Sequence, residues 1–150
     1  MKHQVKSWMS KHPIKIDKYE DIKTAKGIML QEGIRHLLVF DSGLLSGVLS
    51  ETDLLLADSI RARFKGEECK AVKITVGDLM ARGPTTVSAE SSMTDAVRLL
   101  AEKHFRSLPV VDSQGKVCGI LTETDVLRYA LVASQSLEVD MPYVSRVGLL

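Results

Sequence analysis

The sequence predicts an α+β fold: two tandem β-α-β-β-α units packed sheet to sheet about a pseudo-two-fold axis. Three observations carry that reading. The chain repeats itself, its apolar residues alternate between helical and strand spacing within each copy, and its hydrophobic content is largely aliphatic. Of 150 residues, 45% are hydrophobic, yet there are only three Phe, three Tyr and one Trp, so aliphatic side chains must build the core.

Laid against itself, the chain aligns Val5-Lys6-Ser7-Trp8-Met9 with Val76-Gly77-Asp78-Leu79-Met80, and Pro13 with Pro84, at a constant offset. The register holds through Arg35 and Arg106, Leu37 and Leu108, Val39 and Val110, and Asp41 and Asp112. After one inserted residue, Gly47-Val48-Leu49-Ser50-Glu51-Thr52-Asp53 matches Gly119-Ile120-Leu121-Thr122-Glu123-Thr124-Asp125. A unit of roughly 55 residues buries too little apolar surface to stand alone, so the two copies should share a core. The expected organisation is a first repeat over 1–64, a polar connector over 65–75, a second repeat over 76–133 and a tail over 134–150.

The elements follow in the same order in each copy. After each proline comes a short extended piece, Ile14-Lys15-Ile16 or Thr85-Thr86-Val87. An amphipathic helix is next. Ile22, Ala25, Ile28 and Met29 form its apolar face in the first copy, and Met93, Ala96, Val97, Leu99, Leu100 and Ala101 in the second, behind a Ser91 or Ser92 cap. The unbroken apolar runs Leu37-Leu38-Val39-Phe40 and Leu108-Pro109-Val110-Val111 predict strands buried on both faces. Asp41-Ser42-Gly43 and Asp112-Ser113-Gln114-Gly115 are turns, because these residues cap through their side chains and tolerate positive φ. Second strands follow over Leu45 to Leu49 and Val117 to Leu121. Ser-Glu-Thr-Asp or Thr-Glu-Thr-Asp then opens a last helix, Leu54 to about Arg63 and Val126 to Ala133.

Charge and composition exclude several classes. Twenty basic against nineteen acidic side chains give a net charge of +1, which argues against nucleic acid and against a polybasic membrane-surface role. Nothing approaches the roughly 18 consecutive apolar residues of a membrane span, and the first residues do not read as a secretory signal. Cys69 and Cys118 are isolated, with Cys118 a small hydrophobe in a strand and Cys69 a thiol in the connector, so a reducing, cytoplasmic setting is expected. None of His3, His12, His36 and His104 stands at metal-ligand spacing, and His36 and His104 read as helix-end or surface residues beside the arginines. Without a Ser-His-Asp constellation or a Gly-rich phosphate loop, the expectation is no enzyme, no required cofactor and no metal.

The repeated Gly-x-x-Ser/Thr-x-x-Asp segment is where binding chemistry concentrates. It lies at a strand-to-helix junction, where backbone N–H groups and the helix dipole favour an anion such as phosphate and Ser50 or Thr122 adds a hydroxyl. Asp53 and Asp125 would repel phosphate but suit the vicinal hydroxyls of a ribose. A plain helix cap accounts for the same pattern equally well. Arg35 and Arg106 precede the buried strands, and a guanidinium can fork onto phosphate oxygens.

These residues carry a resemblance. Met9 and Met80, Pro13 and Pro84, Arg106-Ser107-Leu108-Pro109-Val110-Val111-Asp112 and the two Gly-x-x-Ser/Thr-x-x-Asp segments resemble the cystathionine-beta-synthase (CBS) domain, and the pair resembles a Bateman module. The resemblance implies a regulatory module that binds adenosine nucleotides (AMP, ADP or ATP), or S-adenosylmethionine, in two clefts between the repeats. It assigns Ser50, Asp53 and Arg35 with Thr85, Thr86 and Val87 to one cleft, and Thr122, Asp125 and Arg106 with Ile14, Lys15 and Ile16 to the other. The first copy departs from the family pattern at Leu38, which stands where the second has Pro109, and at Lys15; the clefts are therefore expected to be unequal, favouring the one with Ser50 and Asp53.

The apolar rows Leu54-Leu55-Leu56-Ala57 and Val126-Leu127 with Leu131-Val132 suit either core packing or a homodimer, and the tail from Ser134 to Leu150 suits an apolar groove or the partner subunit. A nucleotide sensor read by an unidentified regulated protein and a dimerisation or interaction module with vestigial clefts both remain open at this point. The repeats fill nearly all of the chain, which leaves no room for a separate catalytic segment.

Overall fold

A computed structural model of the chain describes residues 3–63, 66 and 73–136. Cys69, most of the connector and the tail from residue 137 lie outside the described residues. Among the described residues there are eight strands and five helices, with β1 (Ser10–Lys11), β2 (Lys15–Asp17), α1 (Ile22–Glu32), β3 (His36–Asp41), β4 (Leu44–Ser50) and α2 (Glu51–Arg61) in the first copy. The second copy supplies α3 (Val76–Leu79), β5 (Ala81–Arg82), β6 (Val87–Ser88), α4 (Met93–Lys103), β7 (Ser107–Val111), β8 (Val117–Thr122) and α5 (Glu123–Ser136). A short 3-10 turn, Val5–Ser7, opens the first copy where α3 opens the second.

Each predicted element is present. Asp21 accepts from the Lys23 amide at 2.7 Å to cap α1, and Ser92 accepts from the Asp95 amide at 3.0 Å to cap α4. Both last helices begin at the residue after the Ser or Thr, three positions earlier than the apolar spacing alone places them, because that hydroxyl residue is the cap itself. The turn after β3 carries Ser42 and Gly43 at φ of 51° and 82°.

The two sheets run in the orders β2-β3-β4-β5 and β6-β7-β8-β1. Each therefore ends on a two-residue strand contributed by the other copy. β5 pairs antiparallel with β4 through Gly47 and Arg82, and β1 pairs antiparallel with β8 through Lys11 and Gly119. The exchange extends into the cores. Ile74 of the connector and Val76 and Met80 of the second copy pack with Leu37, Val39 and Leu49 of the first, while Val5, Trp8 and Met9 pack with Leu108, Val110 and Leu121 of the second.

The exchanged strand explains the repeated glycine. A Cβ on Gly47 would lie 2.7 Å from the Ala81 carbonyl oxygen and 2.6 Å from Met80 Sδ, and one on Gly119 would meet Met9 Sδ and lie 3.0 Å from the Ser10 carbonyl oxygen. A side chain at Gly47 would strike the crossing backbone, and one at Gly119 would have to displace the Met9 thioether and press on the Ser10 carbonyl. The glycine of the repeated segment thus serves the fold, not a ligand.

Strand alternation shows how the sheets stack. Leu37 and Val39 point into the helix-side core, so Leu38 between them points the other way, yet it is fully buried. Pro109, between the core residues Leu108 and Val110, is likewise buried. What covers these two residues is the opposite sheet.

Candidate functional site

A cavity of about 240 Å³ opens between the sheets. Its lining comes from both copies: His36, Val48, Ser50 and Asp53 from the first, and Ala81 to Thr85, His104 to Ser107 and Pro109 from the second. Of the twelve residues expected at binding positions, the structure brings Ser50, Asp53, Thr85 and Arg106 together here.

Asp53 and Ser50 form a reciprocal cap at the start of α2. One carboxylate oxygen, Oδ2, accepts from the Ser50 amide and from Ser50 Oγ, each at 2.7 Å, and the Asp53 amide donates to Ser50 Oγ at 3.3 Å. The cap is real, and it consumes only half of the carboxylate. Oδ1 accepts no hydrogen bond among the described residues, which leaves it free to take a hydroxyl proton from a ligand. The helix N-terminus itself has less to give an anion, because the Glu51 amide donates to the Arg35 carbonyl at 2.9 Å and both Glu51 and Asp53 sit in the first turn.

The positive charge at this cavity comes from the other copy. Arg35 is 81% exposed, has Nε 3.7 Å from Glu51 Oε2, and does not line the cavity. Arg106 does line it, and its guanidinium makes no ion pair or hydrogen bond among the described residues. The arginines are therefore grouped differently from the sequence expectation. Stacking the sheets carries residue 106 across to Ser50 and Asp53, while Arg35 turns outward beside its own helix.

Two histidines join the lining, and nothing in their spacing indicated it. His36 is half-buried at the start of β3, opposite Ser50 in the ladder. Burial holds its imidazole below the ordinary histidine value of 6.5; the nearby Arg106 and Arg35 charges act in the same direction, and Glu123 and Asp53 oppose them. His104 ends α4 in the left-handed region at φ 55°, where the equivalent residue of the first copy is Gly33 at φ 64°. Histidine is among the non-glycine residues that tolerate this conformation, so the exchange keeps the helix end and adds a side chain to the cavity wall. The signal was legible only as a Gly-to-His difference between the copies.

The remaining expected residues lie elsewhere. Val87 and Ile16 are buried in the helix-side cores. Thr86 is exposed and is not on the cavity wall. At the pseudo-equivalent end, Thr122 donates to Asp125 Oδ2 from its amide and from Oγ1, each at 2.9 Å, and Arg128 Nη1 stands 3.5 Å from Asp125 Oδ1. Asp125 is 2% exposed. Ile14 packs against the first core, and Lys15 Nζ sits 4.8 Å over the Phe40 ring. Among the described residues no cluster of His, Cys, Asp and Glu suits a metal, and no helix is long and apolar enough to cross a membrane.

The family model for the CBS domain matches residues 5–59 and 76–132. Among curated proteins, the CBS domain-containing protein CBSX2 of Arabidopsis thaliana, a chloroplastic protein, is 34% identical over 138 residues, 78% of this chain and 58% of its own length. The chain spans 48% of a second relative, the chloroplastic CBSX1 of the same plant, so it covers about half the length of the curated relatives it matches first. Among solved structures, CBSX2 in complex with AMP aligns with a TM-score of 0.69 and 35% identity, covering 88% of this chain and 98% of that one. The CBS domain pair of protein MJ0100, in complex with 5'-methylthioadenosine and S-adenosyl-L-methionine, gives 0.72 and 26% over 88% and 97%.

Proposed function

The chain belongs to the CBS domain family, and from that premise we propose that it is a regulatory module binding an adenosine-containing ligand in the cavity of Ser50, Asp53, Thr85 and Arg106. One observation carries this reading: a carboxylate with a free oxygen and an unpaired guanidinium share a partly apolar cavity between the repeats. Asp53 Oδ1 suits the ribose hydroxyls, Arg106 the phosphate, and the backbone at Thr85 the base edge, with Val48 and Pro109 against the ring. The AMP bound to CBSX2 and the methylthioadenosine and S-adenosyl-L-methionine bound to the MJ0100 pair support the adenosine part of the ligand. AMP, ADP and ATP are the candidates, with no further cofactor and no catalytic step.

Isothermal titration with AMP, ADP and ATP tests the proposal. At least one should bind, and Asp53→Ala should weaken it at least tenfold, about 1.4 kcal/mol. Undiminished binding after Asp53→Ala and Asp125→Ala together overturns it. Ligand that binds only the folded form must also raise the thermal midpoint.

Regulation requires a listener. Leu55 and Leu56 on α2 and Leu127, Leu131 and Val132 on α5 are exposed, an apolar row that suits a second copy of the chain, so a homodimer is part of the proposal. A monomeric mass by light scattering removes that part. The regulated protein would then read a change in how the sheets pack when the cavity fills. Cys118 is a free, half-buried thiol whose pKa burial pushes up, as suits a small hydrophobe in β8; a reducing, cytoplasmic setting is part of the proposal.

A further inference from the structure

The parallel ladders β2–β3 and β6–β7 follow one hydrogen-bonding scheme, with one bond missing from the second. Lys18 N donates to the Phe40 carbonyl at 3.0 Å, and its counterpart Ala89 N donates to the Val111 carbonyl at 2.9 Å. At the other end of β2, Leu38 N donates to the Ile14 carbonyl at 3.2 Å. The counterpart of Leu38 is Pro109, which has no N–H to give. The ladder accordingly begins one pair later, at Val87 and Val110 instead of at the counterpart of Lys15 and Leu38. Thr85, the counterpart of Ile14, is left exposed on the cavity wall with no hydrogen bond to any described residue.

Side-chain packing follows the same division. Ile14 docks into the first core and fixes its segment from the apolar side, whereas Thr85 has no such anchor. A backbone carbonyl already holding a strand amide in its ladder is poorly placed to take the amino group of a base, while an unbonded one is open to it.

We infer that the Leu38/Pro109 difference selects which of the two pseudo-equivalent clefts can read an adenine base, so that each chain binds one nucleotide, in the Ser50–Asp53 cleft. Pro109 acts here as a specificity determinant through an absent donor, and Leu38 as its opposite. The inference rests on the nucleotide reading above and adds its stoichiometry and the cause.

Calorimetric titration of the full chain with AMP gives the test. The unsubstituted protein should saturate at one AMP per chain. Pro109→Ala restores the missing donor with little change in bulk; it should weaken AMP at least tenfold and show a slowly exchanging amide at position 109 by hydrogen exchange. Leu38→Pro, which frees the Ile14 carbonyl, should add a second and weaker AMP site, because Asp125 and Arg35 stay engaged with Arg128 and Glu51. Two equal sites in the unsubstituted chain, unchanged affinity in Pro109→Ala, or a folded Leu38→Pro that stays at one site overturns the inference. Should Leu38→Pro fail to fold, the other two measurements decide. Absence of binding by AMP, ADP and ATP to the unsubstituted chain instead overturns the nucleotide reading itself, and this inference with it.

Discussion

Position by position, the first half of the molecule holds Ile14, Gly33, Arg35, His36 and Leu38 where the second holds Thr85, His104, Arg106, Ser107 and Pro109. The halves also share backbone bonds: Val5 N to the Ser91 carbonyl answers Val76 N to the Glu20 carbonyl, both at 2.9 Å. All five residues of the second set line the cavity with His36, while Ile14, Gly33, Arg35 and Leu38 do not. The duplicated backbone is thus maintained by packing that both halves need, while these five positions put their second-copy members on the walls of one cleft. Symmetry is a property of the scaffold here, and the site breaks it.

The largest expected effect tests the shared part. Gly119→Val and Gly47→Val each force a side chain into a crossing backbone and should each cost about 3 kcal/mol by urea denaturation. A large loss at one glycine and none at the other would break the equivalence of the two crossings. Next in size is the contrast between the arginines. Arg106→Ala should weaken AMP by about 2 kcal/mol, the scale of a charged hydrogen bond, while Arg35→Ala should leave affinity within twofold. Equal losses would restore the grouping expected from sequence.

Smaller still are the caps. Ser50→Ala and Thr122→Ala should each lower stability by about 1 kcal/mol in thermal melts, since both hydroxyl residues meet an Asp three positions on. Only Ser50→Ala should also disturb AMP binding. The smallest effect is a pH dependence confined to one half, because Ser107 replaces His36 in the other. His36 has its pKa lowered in the folded state, so its neutral form is the one that the fold accommodates. Its contribution to stability is complete above the unfolded value near 6.5 and is lost as pH falls through the lowered folded value. His36→Gln should flatten that part of the stability profile, and an unchanged profile would remove His36 as its source.

The repeat made most of the fold legible. Leu37 to Phe40 and Leu108 to Val111 announced buried strands, and Asp41-Ser42-Gly43 announced its turn, because such runs have the length for a period to show. The exchanged strands β1 and β5 have two residues each, too few for alternation to register, so Met9, Met80 and the repeated glycines carried a message that needed the fold to be read. At the candidate site, Ser50 and Asp53 were singled out by their motif and Thr85 by the family resemblance, and the three line one cavity. The choice between Arg35 and Arg106, and the entry of His36 and His104, depended on how two sheets stack, which no local pattern encodes.

The crossing strands also bear on how the molecule is held together over time. Each half closes its sheet and fills its core with the leading segment of the other half, so the halves are clasped like interlocked hooks. Cutting the chain between them would yield two pieces, each carrying the missing edge and methionine plug of its neighbour. Such pieces should be poorly folded apart and regain the native circular dichroism on mixing, because neither can satisfy its own sheet edge or core without the other.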